Sequence, residues 1–157
     1  MNRKKTRELA MKLLFEMIIK KETYLEVIQN LKEANREEEN NLDLMEEKEE
    51  IDPENWDLED IDIQYLTKVL KGIEENKEEL DKKIEASLKN WKLSRLAKVD
   101  LAILRLSTYE ILFEENIPIK VSINEGVELA KKYGEDKSSA FINAVLDSIA
   151  KENNKEC

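Results

Sequence analysis

One stretch of the sequence, residues 99–113, constrains the fold more than any other part of the chain. Only Asp100, Arg105 and Glu110 are charged in it, and most of the other residues are apolar. A helix with so few polar positions has no broad face suited to water, so neighbouring elements must contact it on most sides. The pattern predicts a central helix over 99–113, around which the other segments pack.

Elsewhere in the chain, apolar residues recur at intervals of three and four, which is the period of an amphipathic helix. Such runs lie at residues 9–18, 24–31, 61–73 and 80–91, and in the two segments after Pro118 and after Gly134. The sequence therefore predicts an all-α fold of about seven helices without a strand. We assign residues 1–157 to a single domain of ordinary size.

Helix boundaries are predicted from proline, glycine and capping residues. Ile117-Pro118 should end the central helix, because proline cannot donate a backbone hydrogen bond and disfavours helical angles in the residue before it. The predicted caps are the pairs Asn76–Glu79 and Ser122–Glu125, Ser138 or Asp136 before the last helix, and Gly134 with left-handed angles after the helix preceding it. Arg105, inside the apolar helix, should pair with Glu125 or Glu128.

The net charge of −10 is unevenly distributed. Residues 1–21 carry +5, whereas residues 32–62 carry −12. We interpret residues 33–60 as an acidic, solvated linker within the domain, flexible or partly helical, because its apolar periodicity fades and Asp52-Pro53 interrupts it. It is either a tolerated insertion or a segment that keeps nonspecific polyanions away.

Several classes of function are disfavoured by composition. The chain has no histidine, its single cysteine is Cys157, and its three glycines are far apart, which argues against catalytic triads, zinc sites and phosphate-binding loops. Adjacent glutamates such as Glu74-Glu75 point about 100° apart on a helix, so they do not converge on a substrate. We expect no enzyme activity, metal or cofactor, and a cytoplasmic protein without a membrane span.

A basic group at the amino terminus suits a nucleic-acid backbone, since arginine and lysine both meet phosphates. It consists of Arg3, Lys4, Lys5, Arg7 and Lys12. The alternative is a merely solubilising end. Phe141 is either a core aromatic or a platform on which an unpaired base stacks.

The sequence resembles the NusB family of transcription antitermination factors over about residues 3–31 and 61–150. The resemblance is carried by Thr6-Arg7-Glu8-Leu9-Ala10, by Asp100 to Leu106 and Tyr109-Glu110, by Ile117-Pro118 to Gly134, and by Ser138, Phe141, Asn143 and Val145-Leu146-Asp147. It implies two small packed helical bundles and a non-enzymatic role. It also implies binding of the boxA element of ribosomal RNA leader transcripts together with the ribosomal protein NusE, in an RNA polymerase antitermination complex.

Position by position, the resemblance implies an RNA-contacting segment at Arg3, Lys4, Lys5 and Arg7, with an RNA-facing aromatic at Phe141. Lys137 lies in the loop before Phe141, where a cation would favour phosphate. Asp100 matches an acidic position on the NusE-facing side, and Tyr109 and Glu110 are weaker candidates for that contact. Ala144 replaces the glycine that is usual in the family at this position.

Two other functions remain open at this point. One is a helical adapter that binds only protein; the other is an accessory domain of a ribosomal RNA methyltransferase. The chain has no glycine-rich cofactor loop or catalytic cysteine, so we expect it not to be the full methyltransferase. A homodimer, which could cover the same basic surface, also remains open.

Overall fold

Seven α-helices make up most of the chain that the computed structural model describes, namely residues 2–41, 58–89 and 91–153. They are α1 (Arg3–Lys20), α2 (Tyr24–Asn41), α3 (Ile63–Glu75), α4 (Lys77–Ala86), α5 (Lys98–Phe113), α6 (Ile119–Tyr133) and α7 (Ser138–Glu152). Short 3₁₀ helices at Leu58–Asp60 and Leu93–Arg95 precede α3 and α5. No strand occurs within these ranges, which confirms the predicted all-α fold.

The central helix predicted from the sequence is α5. Every residue from Leu101 to Ile111 is buried. The helices α1, α2 and α3 pack on one another, while α4, α6 and α7 pack around α5, which also contacts α1 and α3. The fold therefore consists of two small bundles that share α5. None of the described helices is both long and apolar enough to cross a membrane.

The break at Pro118 and the end of α6 at Gly134 are confirmed, but the predicted capping contacts are absent. Because Pro118 has φ −58, a value already suited to a helix start, it occupies the N-cap of α6, and Ser122 lies inside the helix. The Asn76 side chain donates to the Gly72 carbonyl at 2.8 Å instead of capping α4. Gly134 has φ −89, outside the left-handed region, and no side chain caps α7.

The amino-terminal part of the segment predicted to be an acidic linker, flexible or partly helical, is helical. α2 continues through Glu33 to Asn41, since glutamate, alanine and arginine are good helix formers. Residues 42–57 lie outside the described part, so the prediction of a linker is untested there. The helical run predicted over residues 80–91 is too long. α4 ends at Ala86, and Trp91 lies outside it and is 57% exposed.

Arg105 pairs with Asp81 of α4 and not with Glu125 or Glu128. Its Nε and Nη2 atoms each donate to a carboxylate oxygen at 2.9 Å. The long reach of arginine allows it to leave the apolar surroundings of α5 and meet α4, which runs beside it. This bidentate pair ties α4 to the central helix.

A second ion pair joins α1 to α5 and lies deeper. The Nε atom of Arg7 on α1 donates to both oxygens of Glu110 on α5, at 3.0 and 2.8 Å. The hydroxyl of Tyr65 on α3 also donates to Glu110. Arg7 is 6% exposed and Glu110 1% exposed. Burial, followed by the Glu110 charge, raises the pKa of Tyr65, so its hydroxyl keeps its proton and remains a donor.

Arg7→Leu should lower the free energy of unfolding by about 3–5 kcal/mol, because it leaves the Glu110 carboxylate buried without its cation. Urea denaturation followed by circular dichroism measures the change. The control is Lys71→Ala, which removes the exposed pair between Lys71 and Glu75 and should change stability by less than about 0.5 kcal/mol. Equal effects of the two substitutions would show that the buried pair does not hold α1 on α5.

Candidate nucleic-acid interface

The basic amino terminus forms the first turn of α1. Asn2 is the N-cap, and its side-chain oxygen accepts from the Lys5 backbone amide at 3.0 Å. Arg3, Lys4 and Lys5 follow at once, and this turn contains no acidic residue. The amino end of a helix already carries a partial positive charge, so cations there slightly destabilise the helix. The positive charge of these side chains and that of the helix end together attract anions to this turn.

Two of these cations are held by acidic residues that lead into α3. The Arg3 guanidinium stacks 3.8 Å from the centre of the Tyr65 ring and lies 3.6 Å from Asp62. The Lys5 ammonium lies 3.0 Å from Asp60. Lys4 is exposed and makes no ion pair with another described residue. All three side chains are at the surface. Arg3 and Lys5, however, must break their ion pairs with Asp62 and Asp60 before they can bind a phosphate.

Arg7 is absent from this surface, contrary to the expectation from the sequence. It lies one helical turn after Arg3, where the helix faces the core, and Glu110 holds it there. The basic group that remains accessible on the first turn is therefore Arg3, Lys4 and Lys5, and Arg7 positions the helix that carries it.

Further along α1, Lys12 lies beside an aromatic groove. Its ammonium is 5.2 Å from the centre of the Tyr133 ring at the end of α6. The groove has a volume of about 390 Å³, and Phe15 and Val99 also line it. The Tyr133 hydroxyl donates to Glu8 of α1, and Lys132 pairs with the same carboxylate. These contacts bring α1 against the last turn of α6.

The loop between α6 and α7 begins where this groove ends. Lys137 is exposed on it, and Phe141, in the first turn of α7, is partly buried against the core. A Cβ on Gly134 would lie 2.6 Å from the Ser138 Cβ, so only glycine permits this close loop. The Ser138 hydroxyl accepts from the Glu135 amide at 3.0 Å, which fixes the turn.

α5 and α7 both begin at this corner without a side-chain cap. The Ser138 hydroxyl is 3.3 Å from Asp100 Oδ2, which joins the two helix starts. Asp100 is partly buried, and burial raises the pKa of its carboxyl, more than the hydrogen bond from Ser138 lowers it. The corner therefore combines two helix amino termini and a cation with one partly buried carboxylate, whose pKa is raised by burial.

The other two residues considered for partner contact lie inside the fold. Tyr109 is 5% exposed, and a Cβ on Gly72 would overlap its ring, so the ring fills the space that this glycine leaves beside α3. Glu110 is the acceptor for Arg7 and Tyr65. Both side chains are occupied by internal contacts, which leaves Asp100 as the member of the group near the surface.

Lys12 lies against Tyr133 at the end of α6, and Lys137 and Phe141 follow on the next loop and on the first turn of α7. Glu110 and Asp100 are ten residues apart on α5, or about 15 Å. Sequence reasoning missed Phe15 and Tyr133, which line the groove. Both follow the helical period of core residues, so only their incomplete burial distinguishes them.

Within the described residues, no cluster of three or more acidic or cysteine side chains is arranged to hold a metal ion.

Comparison with known proteins gives consistent matches over nearly the whole chain. The family model described as "NusB family" matches residues 4–151. The transcription antitermination protein NusB of Clostridium tetani (strain Massachusetts / E88) is 63% identical over 152 residues, which cover 97% of this chain and 99% of that protein. The protein of the same name from Clostridium botulinum (strain Kyoto / Type A2) is 56% identical, covering 95% and 99%.

Solved structures agree with this assignment. NusB of T. maritima is similar with a TM-score of 0.73 and 32% identity, over 97% of this chain and 92% of that one. A chain from a crystal structure of the antitermination factors NusB and NusE in complex with dsRNA matches with a TM-score of 0.71 and 25% identity, over 96% of both chains. On the family model and on these identities, the chain belongs to the NusB family.

Proposed function

We propose that this chain is a non-enzymatic transcription antitermination factor of the cytoplasm, which binds the boxA element of ribosomal RNA leader transcripts together with ribosomal protein NusE. The observation that carries the RNA contact is the acid-free first turn of α1, with Arg3, Lys4 and Lys5 at the surface. Its close relatives are named transcription antitermination proteins, and one structural neighbour was solved with NusE and RNA.

RNA is held in two ways along this surface. The cations of the first turn, Lys12 and Lys137 meet phosphates, which supplies affinity that is sensitive to salt. Phe141, partly buried at the start of α7, offers a ring edge or face to an unpaired base. NusE adds a second surface near Asp100, and two linked contacts bind RNA more tightly than either contact does alone.

Replacing Arg3, Lys4 and Lys5 by alanine should weaken binding of boxA RNA, in the presence of NusE, by about tenfold or more at low salt. The slope of log affinity against log salt should become shallower by about 2, since each phosphate contact to a single strand contributes about 0.7. Fluorescence anisotropy across a salt series measures both quantities.

The matched control replaces Lys71, Lys77 and Lys82 by alanine, which removes the same charge from exposed positions on α3 and α4. It should leave the slope unchanged. If both triple variants lose affinity equally, the first turn of α1 is not an RNA contact and the effect is one of net charge.

Asp60→Asn should strengthen RNA binding by up to about fivefold, because it releases Lys5 from its carboxylate. The gain should shrink as the salt concentration rises. Glu78→Gln, on the exposed side of α4, makes the same change in net charge and should have no such effect. Weaker RNA binding by Asp60→Asn would mean that this acid organises the surface and does not compete with RNA.

Asp100→Asn should weaken NusE binding without destabilising the chain. Burial raises the pKa of the Asp100 carboxyl, so its ionised form opposes folding at neutral pH. The variant should be at least as stable as the wild type at pH 7, and the difference should vanish below about pH 4, where the wild-type carboxyl is protonated. Isothermal calorimetry with NusE and urea denaturation at both pH values test this, with Asp147→Asn as the control. Unaltered NusE binding would remove Asp100 from that contact.

A further inference from the structure

Trp91 is an exposed aromatic residue that the proposed surface does not use. It lies between α4 and α5 with 57% of its surface exposed. Tryptophan is highly buried on average, so a tryptophan with more than half of its surface exposed is unusual. The residue is followed by Lys92, Arg95 and Lys98, all of which are exposed. Residues 91–98 are called the tryptophan segment below.

The backbone of the tryptophan segment is fixed by its leucines. Leu96 is buried in the core and Leu93 packs against it. The Arg95 amide donates to the Lys92 carbonyl at 2.9 Å, which closes one turn of 3₁₀ helix over Leu93–Arg95. Residues three apart in a 3₁₀ helix lie on the same side, so Lys92 and Arg95 are presented together. The cations are therefore carried on a rigid support rather than on a loose loop.

The charge of this segment is the reverse of that of the chain. No acidic residue occurs from Ala86 to Val99, although the whole chain carries −10. Lys92, Arg95 and Lys98 form no ion pair with any other residue in the described ranges. Arg3 and Lys5, by contrast, are each held by a carboxylate. Lys92 and Arg95 can thus meet phosphates without displacing an acid, while Lys98 also lines a groove with Glu22 and Glu74.

The tryptophan segment is continuous with the corner formed by α5 and α7. Just before the segment, the Ser87 hydroxyl lies 3.1 Å from that of Ser148 on α7. Just after it, Asp100 lies 3.3 Å from the Ser138 hydroxyl at the start of α7. The segment therefore runs back along α7 over about ten residues, or about 15 Å, and ends beside the loop that carries Lys137.

We propose that the tryptophan segment is a second contact for single-stranded RNA, in which Trp91 stacks on a base while Lys92, Arg95 and Lys98 bind the phosphates around it. This inference rests on the proposed function and extends it to RNA that flanks boxA. An exposed aromatic among unpaired cations is the combination by which single strands are bound with little sequence preference. A partner protein would have to provide acidic groups for these cations, and an aromatic pocket as well.

The test uses the full chain with NusE and two RNAs, boxA alone and boxA with single-stranded flanks on both sides. Trp91→Ala should weaken binding of the flanked RNA by about 5- to 150-fold, the range expected for one stacked base. It should change binding of boxA alone by less than about twofold. Trp91→Phe should restore most of the affinity, and Lys92→Gln with Arg95→Gln should make the salt slope shallower by about 1.4.

A matched control is Leu25→Ala, which removes another exposed apolar side chain, 64% exposed on α2. Fluorescence gives a direct readout when Trp56, the second tryptophan of the chain, is replaced by phenylalanine. Flanked RNA should then quench Trp91, with the variant that lacks both tryptophans as the blank. Circular dichroism verifies folding; if Trp91→Ala is unfolded, Trp91→Phe, the glutamine variants and the quenching decide the question.

The outcomes separate this inference from the function on which it rests. If the wild-type chain binds neither of the two RNAs in the presence of NusE, the proposed function is overturned. Wild-type chain that binds the flanked RNA, with unquenched Trp91 and unchanged affinity in Trp91→Ala, overturns only the tryptophan contact. If Trp91→Ala loses NusE binding when no RNA is present, the tryptophan segment is a protein contact, and the proposed RNA contact is overturned.

Discussion

The carboxylate of Glu110 lies in the middle of the central helix and is almost completely removed from water. A charge in that position is tolerated only with partners, and the structure supplies Arg7 from α1 and Tyr65 from α3. Both partners come from the amino-terminal bundle, so this one group sets how that bundle lies against α5. Once Arg7 is held, the geometry of a helix places Arg3, Lys4 and Lys5 at its outer end and Lys12 farther along toward α6.

Buried and exposed charged residues differ in what they do in this fold. The deep pairs, Arg7 with Glu110 and Arg105 with Asp81, join helices, whereas the cations at the end of α1 and before α5 remain at the surface. The overall charge of −10 therefore does not describe any one face of the molecule. Most of that charge belongs to the acidic stretch of residues 32–62, which carries −12, whereas residues 1–21 carry +5.

Much of the fold could be predicted from periodicity, because burial of an apolar face is the dominant constraint on each helix. The central helix and the break at Pro118 follow from that rule and from the chemistry of proline. Caps and ion pairs could not be predicted in the same way, because their partners are chosen by packing. Arg7 and Glu110 are 103 residues apart in the chain, so no local pattern distinguishes a buried arginine from the surface arginine one turn before it. Trp91 differs from core aromatic residues only in its exposure. The apolar period of the sequence does not report exposure, so it could not distinguish this residue.

Tyr65 links the interior to the surface with a single side chain. Its hydroxyl donates to Glu110 within the core, while its ring supports the guanidinium of Arg3 outside. A substitution that removes the ring alters the internal pair and the surface cation together, whereas Tyr65→Phe removes only the bond to Glu110. Position 65 therefore couples the stability of the fold to the placement of a surface cation through the ring, and the hydroxyl alone can be changed without disturbing that cation.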